Sequence, residues 1–248
     1  MVALYRMSPN PIFLHALFES LAYALGGASF WWLRRKQGDA LPFEMRAAII
    51  ASAAAGALTG SKLLAIAQEP AVTAAHWREP AFWQGGKTVI GGILGGWLAV
   101  EIVKRILKIK TATGDLFALP LCLGIAVGRL GCYFAGLADG TYGKPTTLPW
   151  GVNFGDGVFR HPTQIYEIIF VAALALWIFL RSRKPHPVGS LFYEFLIGYL
   201  GWRFLIDFLK PLPPPIWLGI TTLQWACLIG VIIAGVRMKS IATLAPSS

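Results

Sequence analysis

Charged residues are scarce in this sequence. Only 14% of the 248 residues are charged, whereas 56% are hydrophobic and the mean hydropathy is +0.59. A chain with so little charge cannot hide its apolar side chains in one soluble core, which excludes an ordinary soluble globular protein. The long apolar runs that take the place of charge predict an all-α polytopic membrane protein.

Acidic residues and cysteines are scarce as well. The 12 Asp and Glu residues face 22 Lys and Arg residues, a net charge of +10 that would suggest nucleic acid in a soluble protein. Here the basic residues cluster at the ends of apolar segments, so no nucleic-acid partner is expected. The cysteines form no CxxC pair and have no histidine at ligand spacing. They are therefore expected to be packing residues rather than a metal or redox centre: Cys122, Cys132 and Cys227.

Seven apolar segments are long enough, or nearly so, to cross a bilayer. They predict a single integral membrane domain over residues 1–248, with a large external loop at 137–162 between the fourth and fifth spans and a disordered tail at 243–248. The predicted spans are 13–33, 47–67, 88–103, 115–135, 163–180, 190–209 and 216–236.

Lys and Arg residues concentrate on one side of these spans. Their clusters at 34–46, 104–110, 181–184 and 237–239 outnumber the basic residues of the other loops. This bias places the N-terminus outside and the C-terminus in the cytoplasm. Three basic residues lie within spans, where a charge is costly and indicates function: Lys62, Arg129 and Arg203.

The segment around the fourth span carries most of the chemistry. Arg129 lies within an apolar run and should face a polar cavity or an anion. The loop at 137–162 is longer than an ordinary connection, which suggests function rather than linkage. Glu167 opens the next apolar run and needs a cationic partner, for which Arg129 and Arg203 are the candidates.

The sequence leaves two interpretations open for several residues. Lys62 either extends to the outer surface or holds a phosphate. Gly91 and Gly92, in the glycine-rich third span, either pack closely against another helix or let the backbone approach an anionic head group.

Two pairs of residues spaced by one helical turn are also ambiguous. Arg203 either forms an intrahelical ion pair with Asp207 or joins Arg129 in one cationic cavity. His15 and Glu19 share one face near the start of the first span, where they are either simply solvated or functional.

Five runs of residues occur in order along the chain: Gly91-Gly92, Gly128-Arg129-Leu130-Gly131, Gly143-Lys144-Pro145-Thr146, Arg160 to Glu167, and Arg203 to Phe208. Together they resemble the prolipoprotein diacylglyceryl transferases over residues 12–236. The resemblance implies a seven-span enzyme of the bacterial inner membrane with its N-terminus outside. Such enzymes transfer the diacylglyceryl group of phosphatidylglycerol to the lipobox cysteine thiol in the signal peptide of a prolipoprotein. They release glycerol 1-phosphate in this first step of lipoprotein maturation and use no metal or soluble cofactor.

The resemblance also implies site residues. Arg129 and Arg203 match arginines that hold the lipid phosphate, and guanidinium groups suit phosphate because they form paired hydrogen bonds. The expected phosphatidylglycerol-binding set, to which Lys62 is added, is Arg129, Arg203, Gly91, Gly92, Gly143, Tyr166 and Lys62. The expected catalytic set is Arg129, Arg203, His161, Asp139 and Glu167.

The chain departs from the family pattern at three positions. Ile90 stands where the family has a histidine, and Cys132 stands where the signature has an asparagine. The family's acidic residue falls on Leu137, so Asp139 is the nearest substitute. These departures leave open which residue activates the acceptor thiol, whose ordinary pKa of about 8.5 requires a base or a nearby cation. The candidates, in order, are His161, Asp139 and Glu167.

Two other functions stay open at this point. A related membrane transferase could use the same lipid donor with another acceptor, which the isoleucine at position 90 favours. A phospholipid-binding protein without catalysis would use the same arginines as a phosphate site. Release of glycerol 1-phosphate distinguishes an enzyme from such a binding protein.

Overall fold

The computed structural model describes residues 10–211 and 216–244, and most of them are helical. Two 3-10 turns, Gly136–Asp139 and Asp207–Leu209, follow the sixth and eighth helices. A short hairpin of β1 (Val152–Asn153) and β2 (Phe159–Arg160) is the exception to the predicted all-α class. The helices are α1 (Pro11–Gln37), α2 (Phe43–Gln68), α3 (Pro70–His76), α4 (Pro80–Gln84), α5 (Val89–Ile106), α6 (Asp115–Ala135), α7 (Thr163–Ser182), α8 (Ser190–Ile206) and α9 (Thr222–Leu244).

The chain forms two compact units. The first unit is drawn from Met1–Gly38, Thr113–Leu212 and Ala234–Ser248, and the second from Asp39–Ala112 and Pro213–Ile233. Helix α9 therefore begins in the second unit and ends in the first. The predicted disordered tail at 243–248 lies outside the described residues from position 245 onward, whereas residues 243 and 244 close α9.

Within residues 10–211 and 216–244, four helical segments are long and apolar enough to cross a membrane: Phe43–Gln68, Asp115–Asp139, Thr163–Ser182 and Thr222–Ile241. They carry exposed apolar side chains such as Leu58 and Ile232, which suit lipid better than water. The predicted spans at 13–33, 88–103 and 190–209 are also helical, but they are not among these four. The structure therefore supports a helical membrane protein, whereas the count of seven spans is not confirmed.

Helix α8 begins where an aspartate of α6 caps it. The Asp115 carboxylate accepts the backbone N–H of Gly189 at 2.6 Å through Oδ2 and that of Phe192 at 3.1 Å through Oδ1. An acidic cap satisfies amide groups that have no partner within the helix and typically contributes about 1 kcal/mol. A Cβ at Gly114 would lie 2.6 Å from the Phe192 ring, so glycine allows this close contact. The cap fixes α6 and α8, which carry the two arginines of interest, against each other within the first unit.

The loop at 137–162 is ordered by the hairpin and by its contacts. The backbone N–H of Lys144 donates to the carbonyl of Leu209 at 2.7 Å, which ties the loop to the end of α8. Arg160 forms an ion pair with Asp156, with 2.7 Å between Nη2 and Oδ2. Hydrogen bonds from this guanidinium group lower the pKa of Asp156 to about 2. The long connection is therefore a folded element beside the helices of the first unit.

Helices α2 and α5 pack through glycines in the second unit. A Cβ at Gly95 would lie 2.3 Å from the carbonyl oxygen of Gly56, and one at Gly91 would lie 2.3 Å from that of Gly60. These oxygens belong to backbones that cannot move aside, so only glycine permits the contact. A Cβ at Gly92 would meet nothing closer than 3.6 Å. The close-packing interpretation is confirmed for Gly91 but not needed for Gly92.

Replacement of Gly95 by alanine should destabilise the protein. The added methyl group overpacks the contact between the two helices, which typically costs about 1–3 kcal/mol. We expect a lower midpoint of thermal unfolding in detergent. Gly92→Ala is the matched control, because it adds the same methyl group to the same helix at an open position. Equal midpoints for the two variants would contradict the proposed packing.

Candidate active site

The carboxylate of Glu167 is the centre of a buried polar cluster in the first unit. Its side chain is 0% exposed, and Oε2 lies 3.0 Å from Nε of Arg129 and 3.2 Å from Nη1 of Arg203. The hydroxyl of Tyr199 donates to Oε1 at 2.7 Å. A buried charge is stable only when it is paired and hydrogen-bonded. The expected pairing of Glu167 with an arginine is confirmed, and both candidate arginines take part.

Asp207 and Lys210 complete this cluster. Oδ1 of Asp207 lies 2.9 Å from Nη2 of Arg203. Nζ of Lys210 lies 3.6 Å from the same oxygen and 3.8 Å from Oε2 of Glu167. Arg203 thus forms the intrahelical pair and also joins Arg129. We call these five charged residues, together with the tyrosine that contacts them, the Glu167 cluster.

The Glu167 cluster carries a net positive charge. Its three cations and two carboxylates are all buried, so one positive charge has no carboxylate to balance it. Burial, with Arg203 nearby, lowers the pKa of Lys210 to about 8. An anion with a single negative charge would neutralise the cluster, and a dianion would be attracted still more strongly.

Helix geometry explains how these side chains meet. Tyr199 and Arg203 lie four residues apart and therefore on one face of α8. Arg129 comes from the last two turns of α6, and Glu167 from the start of α7. The 3-10 turn after α8 then brings Lys210 back toward the same carboxylates.

Part of the hydrogen-bonding capacity around the cluster is unused. Within the described part of the chain, Nε of Arg203, Oδ2 of Asp207 and both amide atoms of Gln164 are buried without a hydrogen-bond partner. Gln164 is 1% exposed and precedes Glu167 by three residues, so it lies one turn away on the same face of α7. Buried polar groups nearly always have partners in native proteins. These atoms are therefore available to a polar ligand or to an ordered water.

A second group of predicted site residues lies where the loop meets α7. Nδ1 of His161 is 3.3 Å from the hydroxyl of Tyr166, which also accepts a hydrogen bond from Nε1 of Trp150 at 2.7 Å. The backbone N–H of Gly143 donates to the carbonyl of His161 at 3.0 Å. A Cβ at Gly143 would lie 2.6 Å from that oxygen, so glycine is required there. The side chain of His161 thus hydrogen-bonds to Tyr166 rather than to Glu167.

A third group lies at the end of α6. Nδ1 of His15 is 3.2 Å from Oδ1 of Asp139. The candidate ligand atoms of His15, Cys132 and Asp139 all lie within 4.8 Å of one another. We call these three residues the His15 cluster. Nη1 of Arg129 donates to Sγ of Cys132 at 3.7 Å, while Nε of the same guanidinium group contacts Glu167. One arginine therefore contacts both clusters.

The other predicted lipid-binding residues lie in the second unit. Nζ of Lys62 donates to the carbonyls of Phe82 and Gly85, the latter at 2.9 Å, so it ties the C-terminal end of α4 to α2. Thr88 caps α5. The backbone N–H of Gly91 donates to the Thr88 hydroxyl, and that of Gly92 donates to the Thr88 carbonyl. The lipid-binding roles of these three residues stay predictions. Ile90, at the family's histidine position, is fully buried in the same unit.

Several residues of the clusters were not predicted as site residues: Tyr199, Asp207, Lys210, Gln164, His15 and Cys132. Spacing could have indicated Tyr199 and Asp207, since each lies one turn from Arg203. Gln164 is a polar residue on the same helical face as Glu167. Lys210 gives no such signal, because its position depends on the 3-10 turn after α8.

A family model described as prolipoprotein diacylglyceryl transferase matches residues 7–239. The chain belongs to the prolipoprotein diacylglyceryl transferase family. This confirms the family expected from the sequence motifs.

Curated relatives agree with this family assignment. A protein of Bordetella avium is 32% identical over 219 residues, which cover 83% of this chain and 80% of the relative. One of Geobacter sulfurreducens is 33% identical over 216 residues, with coverages of 81% and 82%. One of Cupriavidus metallidurans is 35% identical over 168 residues, with coverages of 63% and 60%, so that match spans less than two thirds of the relative. All three are named phosphatidylglycerol–prolipoprotein diacylglyceryl transferase.

In this member of the prolipoprotein diacylglyceryl transferase family, Glu167→Gln should be strongly destabilising. Three buried cations would lose a shared carboxylate, and removal of one partner of a buried ion pair costs about 3–5 kcal/mol. The measurement is the midpoint of thermal unfolding in detergent. The double variant Glu167→Gln/Lys210→Met should recover part of the loss, because it also removes one of the unbalanced cations.

Glu101→Gln is the control for this experiment. Glu101 pairs with Lys104 at 3.2 Å, but its side chain is 26% exposed. Pairs spaced by three residues on one helix contribute only about 0.2–0.5 kcal/mol, so this variant should unfold close to the wild type. A midpoint for Glu167→Gln no lower than that of the control would show that the cluster does not depend on its central carboxylate.

Proposed function

We propose that the chain transfers the diacylglyceryl group of phosphatidylglycerol to the lipobox cysteine thiol of a prolipoprotein and releases glycerol 1-phosphate. The observation that carries this proposal is the buried, net positive Glu167 cluster in a member of this family. The phosphodiester of phosphatidylglycerol carries one negative charge, which matches the unbalanced positive charge of the cluster. The unpaired Nε of Arg203 and the amide of Gln164 supply donors for its oxygens.

The charge of the cluster favours the departure of phosphate. The acceptor thiol gives its proton to a base, and its sulfur attacks the glyceryl carbon attached to phosphate. The carbon–oxygen bond breaks with its electron pair on the phosphate oxygen. The leaving group thereby gains negative charge beside Arg129 and Arg203. Interactions that strengthen as charge develops stabilise the transition state more than the bound lipid, so they raise the rate of the chemical step.

The contacts of the three candidate bases favour different roles. Glu167 contacts three cations, which suits its carboxylate to holding the arginines in place. The ring of His161 is hydrogen-bonded to Tyr166. Asp139 lies beside His15 and Cys132, close to the arginine that would hold the phosphate. We therefore propose that Asp139 lies nearest to the acceptor thiol.

We also propose the disposition in the membrane. The chain would cross the bacterial inner membrane seven times, with its N-terminus and the loop at 137–162 outside and its C-terminus in the cytoplasm. The bias of Lys and Arg toward alternate loops supports this orientation. The signal peptide of a prolipoprotein would then reach the site from the external side, and nucleic acid has no part in the reaction.

A related transferase with another acceptor is the second candidate function. It is favoured by the buried isoleucine at position 90, where the family has a histidine. Both candidates use the same phosphate-binding residues and release the same glycerol phosphate. They differ only in whether a lipobox thiol is accepted.

The purified protein should add one diacylglyceryl unit to a lipobox peptide in detergent that contains phosphatidylglycerol. Arg203→Lys should lower the rate constant for transfer by roughly 100- to 1,000-fold, because lysine cannot form the paired hydrogen bonds to phosphate. The measurement is the mass of the peptide over time, with release of glycerol 1-phosphate followed in parallel.

Arg181→Lys is the matched control, because Arg181 pairs with the half-buried Glu194 outside the cluster. Its transfer rate should equal that of the wild type. Full activity of Arg203→Lys would contradict the phosphate-binding role. Release of glycerol 1-phosphate without a change in peptide mass would favour another acceptor, and no release at all would favour binding without catalysis.

The proposed topology predicts which engineered cysteines react from outside. The three native cysteines are buried, so labelling should report the introduced thiol. Thr147→Cys, in the loop, should react with a membrane-impermeant maleimide in intact spheroplasts. Lys184→Cys, after α7, should react only after lysis. The reverse pattern would contradict the orientation, and reaction of both before lysis would contradict the intervening span.

A further inference from the structure

We propose that His15, Cys132 and Asp139 form an open three-ligand site for a zinc ion, built from the end of α6 and the start of α1. The ligand atoms come from three residue types that bind zinc through nitrogen, sulfur and oxygen. All of them lie within 4.8 Å of one another. No part of this proposal requires a residue of the second unit.

One of the ligand-to-ligand distances already matches a tetrahedral ion. Zinc bonds of about 2.0–2.3 Å place neighbouring ligand atoms roughly 3.3–3.7 Å apart. Nδ1 of His15 and Oδ1 of Asp139 are already 3.2 Å apart. Nδ1 of His15 is also buried without a hydrogen bond of good geometry in the described part of the chain. The proposal requires the other two distances, which are below 4.8 Å, to close to this range when the ion binds.

The surrounding residues hold these side chains in place. A Cβ at Gly131 would lie 2.7 Å from Cβ of Phe18 and 3.4 Å from the carbonyl oxygen of His15, so glycine lets α1 approach α6 beside Cys132. The hydroxyl of Thr141 donates to Oδ2 of Asp139, while Oδ1 of the same carboxylate faces Nδ1 of His15. Supporting hydrogen bonds of this kind orient the ligands of metal sites.

The ligand set selects among metals and leaves a position open. Thiolate and imidazole ligands favour zinc over magnesium or calcium, which prefer oxygen. Three protein ligands with a fourth position free are typical of catalytic rather than structural zinc sites. The side chain of His15 is 38% exposed although its Nδ1 is buried, so the cluster lies near the surface of the unit.

Such an ion would supply what the missing family histidine does not. An acceptor thiol in the fourth position would lose its proton to solvent, because a coordinating thiol is deprotonated outright. Its sulfur would then form the bond to the glyceryl carbon as the carbon–oxygen bond to phosphate breaks. Arg129 contacts both Cys132 and Glu167, so nucleophile and leaving group would lie on either side of one guanidinium group. This role rests on the proposed function, whereas metal binding itself does not.

The departures from the family pattern fall on this site. Cys132 stands where the signature has an asparagine, and Asp139 replaces an acidic residue two positions earlier. The resemblance implies an enzyme without metal, so the site would be particular to chains that share these changes. The two departures and the histidine of α1 together make a complete ligand set.

The first test uses the unmodified protein. After purification in metal-free detergent buffer, it is equilibrated with zinc, washed, and analysed for metal and protein content; one zinc per chain is expected. Equilibration with cobalt instead should give a thiolate-to-cobalt charge-transfer band and the intense visible bands of a tetrahedral site. The absence of bound zinc, or a cobalt spectrum without the thiolate band, would overturn the proposal.

Variants then identify the ligands. Cys132→Ala and His15→Ala should each weaken zinc binding by at least roughly 10- to 100-fold. Removal of a group that only supports a ligand already has an effect of this size, and these variants remove a ligand itself. Cys122→Ala is the matched control, since Cys122 is also buried on α6 but lies outside the cluster. Equal zinc affinity of Cys132→Ala and Cys122→Ala would overturn the proposal, and the cobalt spectrum of the wild type decides the question if a variant fails to fold.

The transfer assay separates failure of the site from failure of the proposed function. Bound zinc with loss of transfer on chelation and recovery on adding zinc would support both. Bound zinc without any transfer to the lipobox peptide would keep the site and reject the function. Full transfer by protein shown to contain no metal would keep the function and overturn the proposed role of the site.

Discussion

The first unit depends on one electrostatic constraint, the burial of the Glu167 carboxylate in apolar surroundings. A charge there is tolerated only with partners of opposite sign. Arg129 and Arg203 supply them from two other helices, so α6, α7 and α8 must meet at this level. The Asp115 cap and the loop bond to Leu209 fix the same helices at other points. Loss of any partner would leave a buried charge unpaired and lower the stability of the fold. The cluster therefore determines how these helices pack.

The same constraint connects the fold to the chemistry. The cluster has more positive than negative charge. In the described part of the chain, Nε of Arg203 and the amide nitrogen of Gln164, one turn from Glu167, are donors without partners. These features suit the cluster to an anion such as a phosphate. Arg129 extends this site toward Cys132 and Asp139. A nucleophile bound near those residues and a phosphate bound near Glu167 would be only a guanidinium group apart. Proximity of this kind can supply a large part of a rate enhancement.

Sequence reasoning identified the features that follow from the cost of charge in an apolar run. Arg129, Glu167 and Arg203 were predicted to be paired or functional for that reason, and the structure brings them into direct contact. Sequence reasoning could not choose between close packing and anion binding for Gly91, because both interpretations need a glycine at the start of a helix. The carbonyl oxygen of Gly60 on the neighbouring helix shows the close packing, since a Cβ at position 91 would lie only 2.3 Å from it, whereas the lipid-binding role of Gly91 stays a prediction.

Contacts between residues distant in sequence could not be predicted from one chain. His15 was open to interpretation as a solvated residue, but tertiary packing places it against Asp139. Lys210 reaches the cluster because of the 3-10 turn after α8, and the spacing of apolar residues does not predict such a turn. The strands of the hairpin in the long loop are too short to show an alternating pattern. For the membrane spans, the sequence predicted more than the structure supports. Apolar segments suggested seven spans, whereas four helical segments of the described residues are long and apolar enough to cross a membrane.

The most direct test of the central claim is binding of glycerol 1-phosphate to the purified protein, followed by its phosphorus resonance. If the Glu167 cluster holds the phosphate, the resonance should broaden and shift saturably with the wild type and with Arg181→Gln. It should stay unchanged with Arg203→Gln, provided that this variant remains folded by circular dichroism. Equal binding by a folded Arg203→Gln and the wild type would place the phosphate elsewhere and contradict the central role of the cluster.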